Sequence, residues 1–389
     1  MKPHLVVTPP RLEVHRGAIA TPTVVHYTPS TGISGCLYTA DGLLLPISQR
    51  VGGVFGDHFP SIDPVKINGN LVGEIPVLNG RSLYLGHHMA HFGHFLMETL
   101  SSFWTFESFP KFDRFVFHPF VFGNASPNFI SEVFRTFGIE NEKIYLIDKR
   151  VRFEEVTIPE RLVQLNLSAN IHVRAVYRHL AVSHEGCQLQ NEGRRSRRFY
   201  ISRVKNSLKS ANRIVINEPR IERLFLKCGF SIVYPEDLTL PEQITLFASA
   251  DIICGLSGSA LHNSLFMRPE SLLIEIGDAR SVAASHPTQL ICNAISQVKT
   301  AFISFSGFVF DSEHYMSAIH FPDVTRGVAK AISETDRGRF FCSEERQLFG
   351  YDGAARVIRS GWMVFRSVLR LLKWRTVAMV ALSAKIWVR

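Results

Sequence analysis

Cysteine is scarce in this sequence and is never paired at close spacing. Six cysteines are scattered along the chain without a Cys-x-x-Cys pair: Cys36, Cys187, Cys228, Cys254, Cys292 and Cys342. This scatter is not the pattern of a disulfide framework. Several of these thiols have apolar neighbours, so we expect them to be small buried residues in a reducing compartment.

Long N-terminal apolar runs, low-complexity stretches and internal repeats are also missing. The apolar run within residues 1–10 is too short for a signal peptide. No repeat of about 20–50 residues occurs, which disfavours a solenoid, and no biased tract suggests disorder. With 46% hydrophobic and 20% charged residues, the chain has the composition of a globular protein, and the cytoplasm is the expected compartment.

Acidic residues are absent from the C-terminal end of the chain. The formal net charge is +9, yet residues 353–389 hold eight Lys or Arg and no Asp or Glu, which leaves about +1 for the remainder. The basic charge therefore belongs to a tail, and the body of the protein carries no nucleic-acid signal.

The pattern within this tail suggests an amphipathic helix. If residues 354–374 are helical, their basic side chains fall within an arc of about 100°, opposite an apolar face. Charges interrupt every window of about 18 residues, so a membrane-spanning helix is not expected. We expect residues 354–389 to contact an anionic membrane surface, which places the protein peripherally on the inner face of the cell membrane. Packing of the tail on the N-terminal domain is the alternative.

The length of 389 residues exceeds the usual limit of roughly 250–300 residues for one hydrophobic core, which predicts two domains. We predict an N-terminal α/β domain at 1–182, a polar linker at 183–198 and a C-terminal Rossmann-like domain at 199–330. A helical segment at 331–389 completes the chain.

Short strands and helices alternate through both predicted domains, which indicates α/β layers. Residues 1–80 suggest strands and hairpins, with a turn at 68–70, and apolar residues recur at helical spacing over 88–106. In the second domain we predict strands at 199–202, 231–233, 252–255 and 271–276, and helices at 218–228, 241–249 and 260–266.

The turn Gly255-Leu256-Ser257-Gly258-Ser259-Ala260 follows a predicted buried strand and opens a helix. Small residues there let backbone amides approach an anion, and the helix dipole favours negative charge at that place. A phosphorylated ligand is one interpretation. A plain strand-to-helix turn is the other.

Charged residues near the same predicted sheet edge extend this candidate site. Arg203 follows a strand end, and a guanidinium there can bind phosphate oxygens in a forked geometry. Arg213 and Lys205 are further candidate cations, whereas Lys209 fits a solvated basic loop. Glu275 is flanked by apolar strand residues, which suits a ribose hydroxyl contact or an ion pair with an arginine.

Four histidines lie within eight residues at His87, His88, His91 and His94. His94 and Glu98 are four residues apart, so on a helix the carboxylate can orient the imidazole and raise its basicity. Such a pair suits removal of a proton from a sugar hydroxyl. A metal site is an alternative because His87 and His91 share that spacing, but the His-Glu-x-x-His arrangement is absent. His87 and His88 also fit a structural role.

Several motifs together resemble glycosyltransferase family 61, whose members include bacterial capsular and exopolysaccharide enzymes. The resemblance covers about Leu83 to Asp278. It rests on Gly93-His94-Phe95-Leu96-x-Glu98, Tyr200-Ile201-Ser202-Arg203, Arg213-Ile214-Val215-Ile216-Asn217-Glu218, Glu242-Gln243 and Gly258-Ser259-Ala260-Leu261-His262-Asn263. Two departures stand out: Ser257 occupies a place where the family commonly has His, and His91 stands near a place where Asn is common.

The resemblance implies a GT-B arrangement of two Rossmann-like domains and an inverting transfer from a nucleotide sugar to a glycan or lipid-linked acceptor. It also implies metal independence, in line with the absence of any Asp-x-Asp motif, so no cofactor is expected. His94 and Glu98 are the expected catalytic residues. The expected nucleotide-sugar-binding residues are Arg203, Lys205, Arg213, Glu242, Gln243, Ser257, Gly258, Ser259, Ala260, Asn263 and Glu275.

Two other functions remain open from the residues alone. A metal-dependent hydrolase would use the histidine cluster as its metal site. A non-catalytic protein would bind nucleotide and dock on a membrane without turnover.

Overall fold

The computed structural model describes residues 3–26, 32–50, 61–67, 75–120, 128–185, 197–205, 213–312 and 315–333. The predicted turn at 68–70, most of the linker at 183–198 and the basic tail at 354–389 lie outside this part of the chain. The described residues form a mixed α/β structure, which confirms the predicted α/β class. None of the described helices is long and apolar enough to cross a membrane.

The strands in the described part of the chain occupy five sheets. In chain order they are β1 (His4–Val6), β2 (Leu12–Arg16), β3 (Ile19–Ala20), β4 (Val24–His26), β5 (Gly32–Ser34), β6 (Leu37–Tyr38), β7 (Val77–Met89), β8 (Arg114–Phe120), β9 (Ile144–Leu146), β10 (Val151–Pro159), β11 (Val163–Gln164), β12 (Ser168–Asn170), β13 (Arg198–Ile201), β14 (Ser231–Val233), β15 (Ile252–Leu256), β16 (Leu272–Ile276), β17 (Lys299–Ile303), β18 (Gly307–Asp311) and β19 (Met316–Ile319).

The helices lie between and after these strands. The α-helices are α1 (Phe92–His94), α2 (Asn128–Thr136), α3 (Arg174–Ser183), α4 (Glu218–Lys227), α5 (Leu240–Ser249), α6 (Pro287–Ser296) and α7 (Phe321–Ser333). A π-helix at Phe95–Thr99 and a 3₁₀-helix at Leu100–Lys111 continue α1. Other 3₁₀-helices are Pro46–Ser48, Asn141–Lys143, Ile171–Val173, Pro235–Asp237 and Ser259–Phe266.

The first large sheet has the strand order β6-β3-β10-β7-β8-β9, and β2 also pairs with β10. Strands β10, β7, β8 and β9 are parallel, whereas β2 and β3 run antiparallel to β10. The chain leaves β7 toward β8 on one side and later returns to place β10 on the other. The direction in which the chain adds strands therefore reverses between β7 and β10, as it does at the switch points of open α/β sheets.

The second large sheet contains five parallel strands in the order β14-β13-β15-β16-β17. Every residue of β15 and β16 is buried, as expected for parallel strands that are covered on both faces. The first two strands in sequence are exchanged in space, so the order reverses between β13 and β15. Ligands of open α/β sheets bind at the carboxyl ends of strands at such a switch point.

One hydrophobic cluster joins the two sheets. It includes Leu83 of β7 and Leu273 of β16, and Tyr177 of α3 packs on Phe266 with ring centroids 6.0 Å apart. A Cβ atom placed on Gly93 would lie only 3.1 Å from His262 Cδ2. The start of α1 therefore lies directly against the 3₁₀-helix Ser259–Phe266.

The predicted helical segment at 88–106 is wrong at its start. His88 belongs to β7, which continues to Met89, and the helical residues begin at Phe92. A parallel strand that is buried on both faces has a nearly continuous apolar sequence, so its side chains resemble those of a buried helix. The observed elements of the second sheet match the predicted ones to within one residue at most ends.

Candidate functional site

His94 and Glu98 lie at the carboxyl end of β7, where α1 passes into the π-helix. The predicted contact is present: His94 Nδ1 lies 2.6 Å from Glu98 Oε1. The His94 side chain is 46% exposed, whereas the Glu98 side chain is 3% exposed. A solute can therefore reach the imidazole but not the carboxylate behind it.

Arg50 is a third member of this group and was not predicted. Its Nε donates to Glu98 Oε2 at 2.8 Å, and its Nη2 donates to Glu98 Oε1 at 3.2 Å. Burial raises the pKa of Glu98, but the hydrogen bond from His94 and the Arg50 charge outweigh it and lower that pKa to about 2. Glu98 is therefore an anion at neutral pH. Arg50 lies in no recognisable motif, so the sequence held no signal for it.

Arg203 and Arg213 meet at the switch point of the second sheet. Both guanidinium groups donate to the backbone carbonyl of Ser257, the Arg203 bond measuring 3.2 Å. Both also contact Asp278 Oδ2, at 3.1 Å from Arg203 and 2.8 Å from Arg213. The structure thus brings the two predicted arginines and the predicted glycine turn together.

Asp278 organises this pair of arginines, and the sequence interpretation missed it. Its Oδ1 accepts backbone N–H groups from Arg280 and Ser281, each at 3.0 Å. Arg213 has a positive φ of 57°, a strained conformation that is enriched at functional sites. The two guanidinium groups thus meet at one carboxylate.

Glu275 lies next to this cluster and is buried. Its Oε1 accepts the Ser257 hydroxyl at 2.6 Å, and its Oε2 accepts the Ser285 hydroxyl. Burial raises the pKa of Glu275. The carboxylate borders a cavity of about 240 Å³, whose lining also includes Leu273, Ser285, Asn293, Thr300 and Phe302.

Four other predicted binding residues have partners within the protein. Glu242 forms a capping box with Thr239 at the start of α5, the dipole-complementing role that its position also allows. Gln243 Oε1 accepts the Asn263 side-chain amide at 3.0 Å. Lys205 pairs with Asp237. Ser259 and Ala260 are the first two residues of the 3₁₀-helix Ser259–Phe266.

Part of the chain matches a known protein family. Residues 92–274 match the family model described as Glycosyltransferase 61. This segment is a glycosyltransferase family 61 domain. The protein is therefore a glycosyltransferase, with a sugar donor and an acceptor as substrates. No curated protein matches the chain.

The histidines of the transferase divide into structural and site-facing groups. His87 is 2% exposed and His88 is 6% exposed, and both belong to β7. Because His87 lies in a strand, the four-residue spacing that suggested the alternative metal site does not place His87 and His91 on one helix face. Among the residues that the structure describes, no three His, Cys, Asp or Glu side chains are arranged to hold a metal ion.

His262 of the transferase lies near His94, in the 3₁₀-helix Ser259–Phe266. Its Nδ1 lies 2.8 Å from Gln289 Oε1, and burial lowers its pKa to about 4. The ring is therefore neutral at physiological pH. Its presence in the motif Gly258-Ser259-Ala260-Leu261-His262-Asn263 was the only sequence signal for it.

Glu218 offers a test of the electrostatics behind the arginines. It is 1% exposed, and its Oε1 accepts the Arg203 backbone N–H at 2.9 Å. Burial raises its pKa to about 7, whereas an unfolded glutamate titrates near 4.3. Between these values the folded state binds more protons, so the free energy of unfolding falls as pH rises.

We therefore expect Glu218→Gln to gain stability relative to the wild type as pH increases from 4 to 8. The relative gain should reach about 3 kcal/mol at most, measured by denaturant unfolding across this pH range. The matched control is Glu270→Gln, because the Glu270 side chain is 56% exposed. A difference between Glu218→Gln and wild type that stays constant with pH would contradict the burial account.

Proposed function

We propose that this transferase moves a sugar from a nucleotide-sugar donor to a glycan or lipid-linked acceptor, with inversion at the anomeric carbon. One observation carries the proposal: the imidazole of His94 and the arginine cluster lie on adjoining surfaces. A Cβ atom on Gly93, next to His94, would lie 3.4 Å from Ser259 Cβ, next to Gly258. A base and an anion site therefore adjoin.

The proposed arrangement is GT-B, with the N-terminal domain binding the acceptor and the C-terminal domain binding the donor. Each of the two large sheets has a switch point at the carboxyl ends of its parallel strands. Helix α1, which follows the first sheet's β7, contacts the 3₁₀-helix Ser259–Phe266, which follows the second sheet's β15. Such carboxyl ends are where ligands of open α/β sheets bind.

The donor diphosphate binds Arg203, Arg213 and the backbone amides of 258–260 in this proposal. Glu275 and the neighbouring cavity accommodate the nucleoside, since the carboxylate can accept ribose hydroxyls once its serine donors rearrange. Lys205, Glu242, Gln243 and Asn263 belong to the surrounding shell. Two guanidinium groups supply the charge that a divalent ion would otherwise supply, so the reaction needs no metal.

His94 acts as the general base. Its Nε2 takes the proton of the acceptor hydroxyl, and the hydroxyl oxygen forms a bond to the anomeric carbon. The bond from that carbon to the diphosphate breaks, and its electron pair leaves with the nucleoside diphosphate. Glu98 stabilises the imidazolium through Nδ1–H, while the arginines stabilise the charge on the leaving group.

A thermal-shift screen of nucleoside diphosphates and nucleotide sugars tests the donor assignment. A ligand at about 100 times its dissociation constant stabilises the folded state by about 2.7 kcal/mol. The nucleotide sugar that gives the largest shift then enters transfer assays with crude lipid-linked acceptors, with and without excess chelator. Binding without turnover would support a non-catalytic sensor, and rescue by zinc after chelation would support a metal enzyme.

The biological setting proposed is bacterial surface-polysaccharide assembly at the cytoplasmic face of the membrane. The family resemblance supports the pathway class, and the eight uncompensated basic residues of 353–389 support peripheral attachment. Each basic residue near an anionic surface contributes about 1 kcal/mol, attenuated by salt.

A chain ending at Asp352 should therefore lose co-sedimentation with anionic vesicles while keeping its nucleotide-induced thermal shift. The full-length protein should bind these vesicles at low salt and dissociate at high salt, because its attachment is largely electrostatic. If the shortened chain unfolds or loses nucleotide binding, the segment is a structural helix and the membrane assignment is wrong.

A further inference from the structure

Three side chains in successive contact lead from the protein interior to the surface: Arg50, Glu98 and His94. The Arg50 and Glu98 side chains are each 3% exposed, and the His94 side chain is 46% exposed. Arg50 contacts both carboxylate oxygens, and Glu98 Oε1 also contacts His94 Nδ1. Only the outermost of these three side chains can touch a substrate.

The protonation state of Glu98 decides which imidazole nitrogen is basic. An ionised carboxylate can only accept a hydrogen bond, so it fixes the proton of His94 on Nδ1 and leaves the Nε2 lone pair free. A protonated carboxyl would donate to Nδ1 and place the ring proton on Nε2. In that tautomer Nε2 cannot take a proton from a hydroxyl group.

Burial by itself would favour the protonated carboxyl, because a desolvated charge is costly. Arg161 is a second buried cation near Glu98. Arg161 Nη2 lies 3.1 Å from His87 Nδ1, and its Nε and Nη1 have no hydrogen-bond partner among the described residues. The forked contact from Arg50 therefore places a permanent positive charge against Glu98, in addition to the hydrogen bond from His94 that also lowers its pKa.

We infer that Arg50 is a positioning residue that holds His94 in the Nδ1–H tautomer by keeping Glu98 ionised. Arg50 is buried behind Glu98 and influences His94 through that carboxylate in this inference. The importance of this tautomer for catalysis rests on the proposed function. The tautomer itself does not depend on the proposed function, so it can be measured without any substrate.

The test uses the full-length protein labelled with ¹⁵N-histidine and long-range ¹H–¹⁵N correlation spectra from pH 5 to 9. His94→Gln identifies the His94 signals among those of the 16 histidines. Groups that face His94 are Glu98, His91 and His262, so spectra of His91→Gln and His262→Gln separate their titrations. In the wild type we expect the neutral ring to carry its proton on Nδ1 at every pH where it is neutral.

Arg50→Met should convert the neutral ring to the Nε2–H tautomer near pH 7. Raising the pH should restore the Nδ1–H tautomer, because Glu98 then ionises without help. Arg50→Gln removes the same charge but keeps a polar side chain, and it should give the same tautomer change. It serves as the second variant if Arg50→Met folds poorly. Arg50→Lys keeps a positive charge and should keep the wild-type tautomer.

Arg152→Met is the matched control, because Arg152 Nη1 donates to the Gly17 carbonyl at 3.0 Å, away from Glu98. It should leave the His94 signals unchanged. Wild-type tautomers at pH 7 in the Arg50→Met and Arg50→Gln variants would overturn the inference. So would an Nε2–H tautomer in Arg50→Lys. None of these outcomes depends on whether the protein transfers a sugar.

Discussion

His94→Ala should lower the transfer rate by about 100-fold or more while leaving the affinity for the donor nearly unchanged. General-base assistance is typically worth about 10²- to 10⁴-fold in rate, and the loss appears in kcat because the base acts on the acceptor hydroxyl. The measurement is steady-state transfer with the donor found by thermal shift, together with its binding constant.

His91→Ala is the matched control for this variant. The His91 ring lies 5.3 Å from the His94 ring, centroid to centroid, so it tests the loss of a neighbouring imidazole. We expect a much smaller effect than that of His94→Ala. Glu98→Gln should lower the rate less than His94→Ala does, since Glu98 is 3% exposed and only orients the base. If Glu98→Gln is the more damaging change, Glu98 is the base and the assignment is reversed.

Arg203→Ala should weaken nucleoside diphosphate binding by about 10- to 100-fold and also lower turnover. Hydrogen bonds to charged groups are worth about 1.5–3 kcal/mol, and about 1.4 kcal/mol corresponds to a factor of ten. The guanidinium remains charged at neutral pH, although burial and the neighbouring Arg213 lower its pKa to about 10. Calorimetric titration with the nucleoside diphosphates from the thermal-shift screen measures the effect.

Lys205→Ala provides the comparison for Arg203→Ala. Lys205 was also predicted to bind the donor, but its observed partners are Asp237 and the ring of Tyr234. We expect its removal to change diphosphate affinity much less than the loss of Arg203. Equal losses in the two variants would bring Lys205 into the diphosphate site, and unchanged affinity in Arg203→Ala would remove Arg203 from it.

The local sequence pattern determined much of the second sheet and the two candidate motifs. Alternating apolar strands and amphipathic helices predicted β13 to β16 because those patterns depend on neighbouring residues. The four-residue spacing of His94 and Glu98 was enough to predict their contact, and the small residues at Ser257 and Gly258 located the turn. The same residues led to the family resemblance that the 92–274 match confirms.

The sequence pattern gave a wrong prediction where burial of a strand on both faces removes the alternation of apolar and polar residues. His87 and His88 lie in β7, although their surroundings resembled a helix. Glu242 was expected to bind the nucleotide sugar, and the structure shows its side chain in a capping box with Thr239.

Only the tertiary structure decided the surroundings of each motif. Arg50 is 48 residues from Glu98, and Asp278 is 65 residues from Arg213. No local spacing encodes such contacts, because they arise only when separate strands and loops are brought together at one edge of a sheet. The sequence therefore determined which side chains could act as base and anion ligands. The fold determined that a buried arginine contacts Glu98, that Asp278 contacts two guanidinium groups, and that the start of the His94 helix lies against the turn after β15.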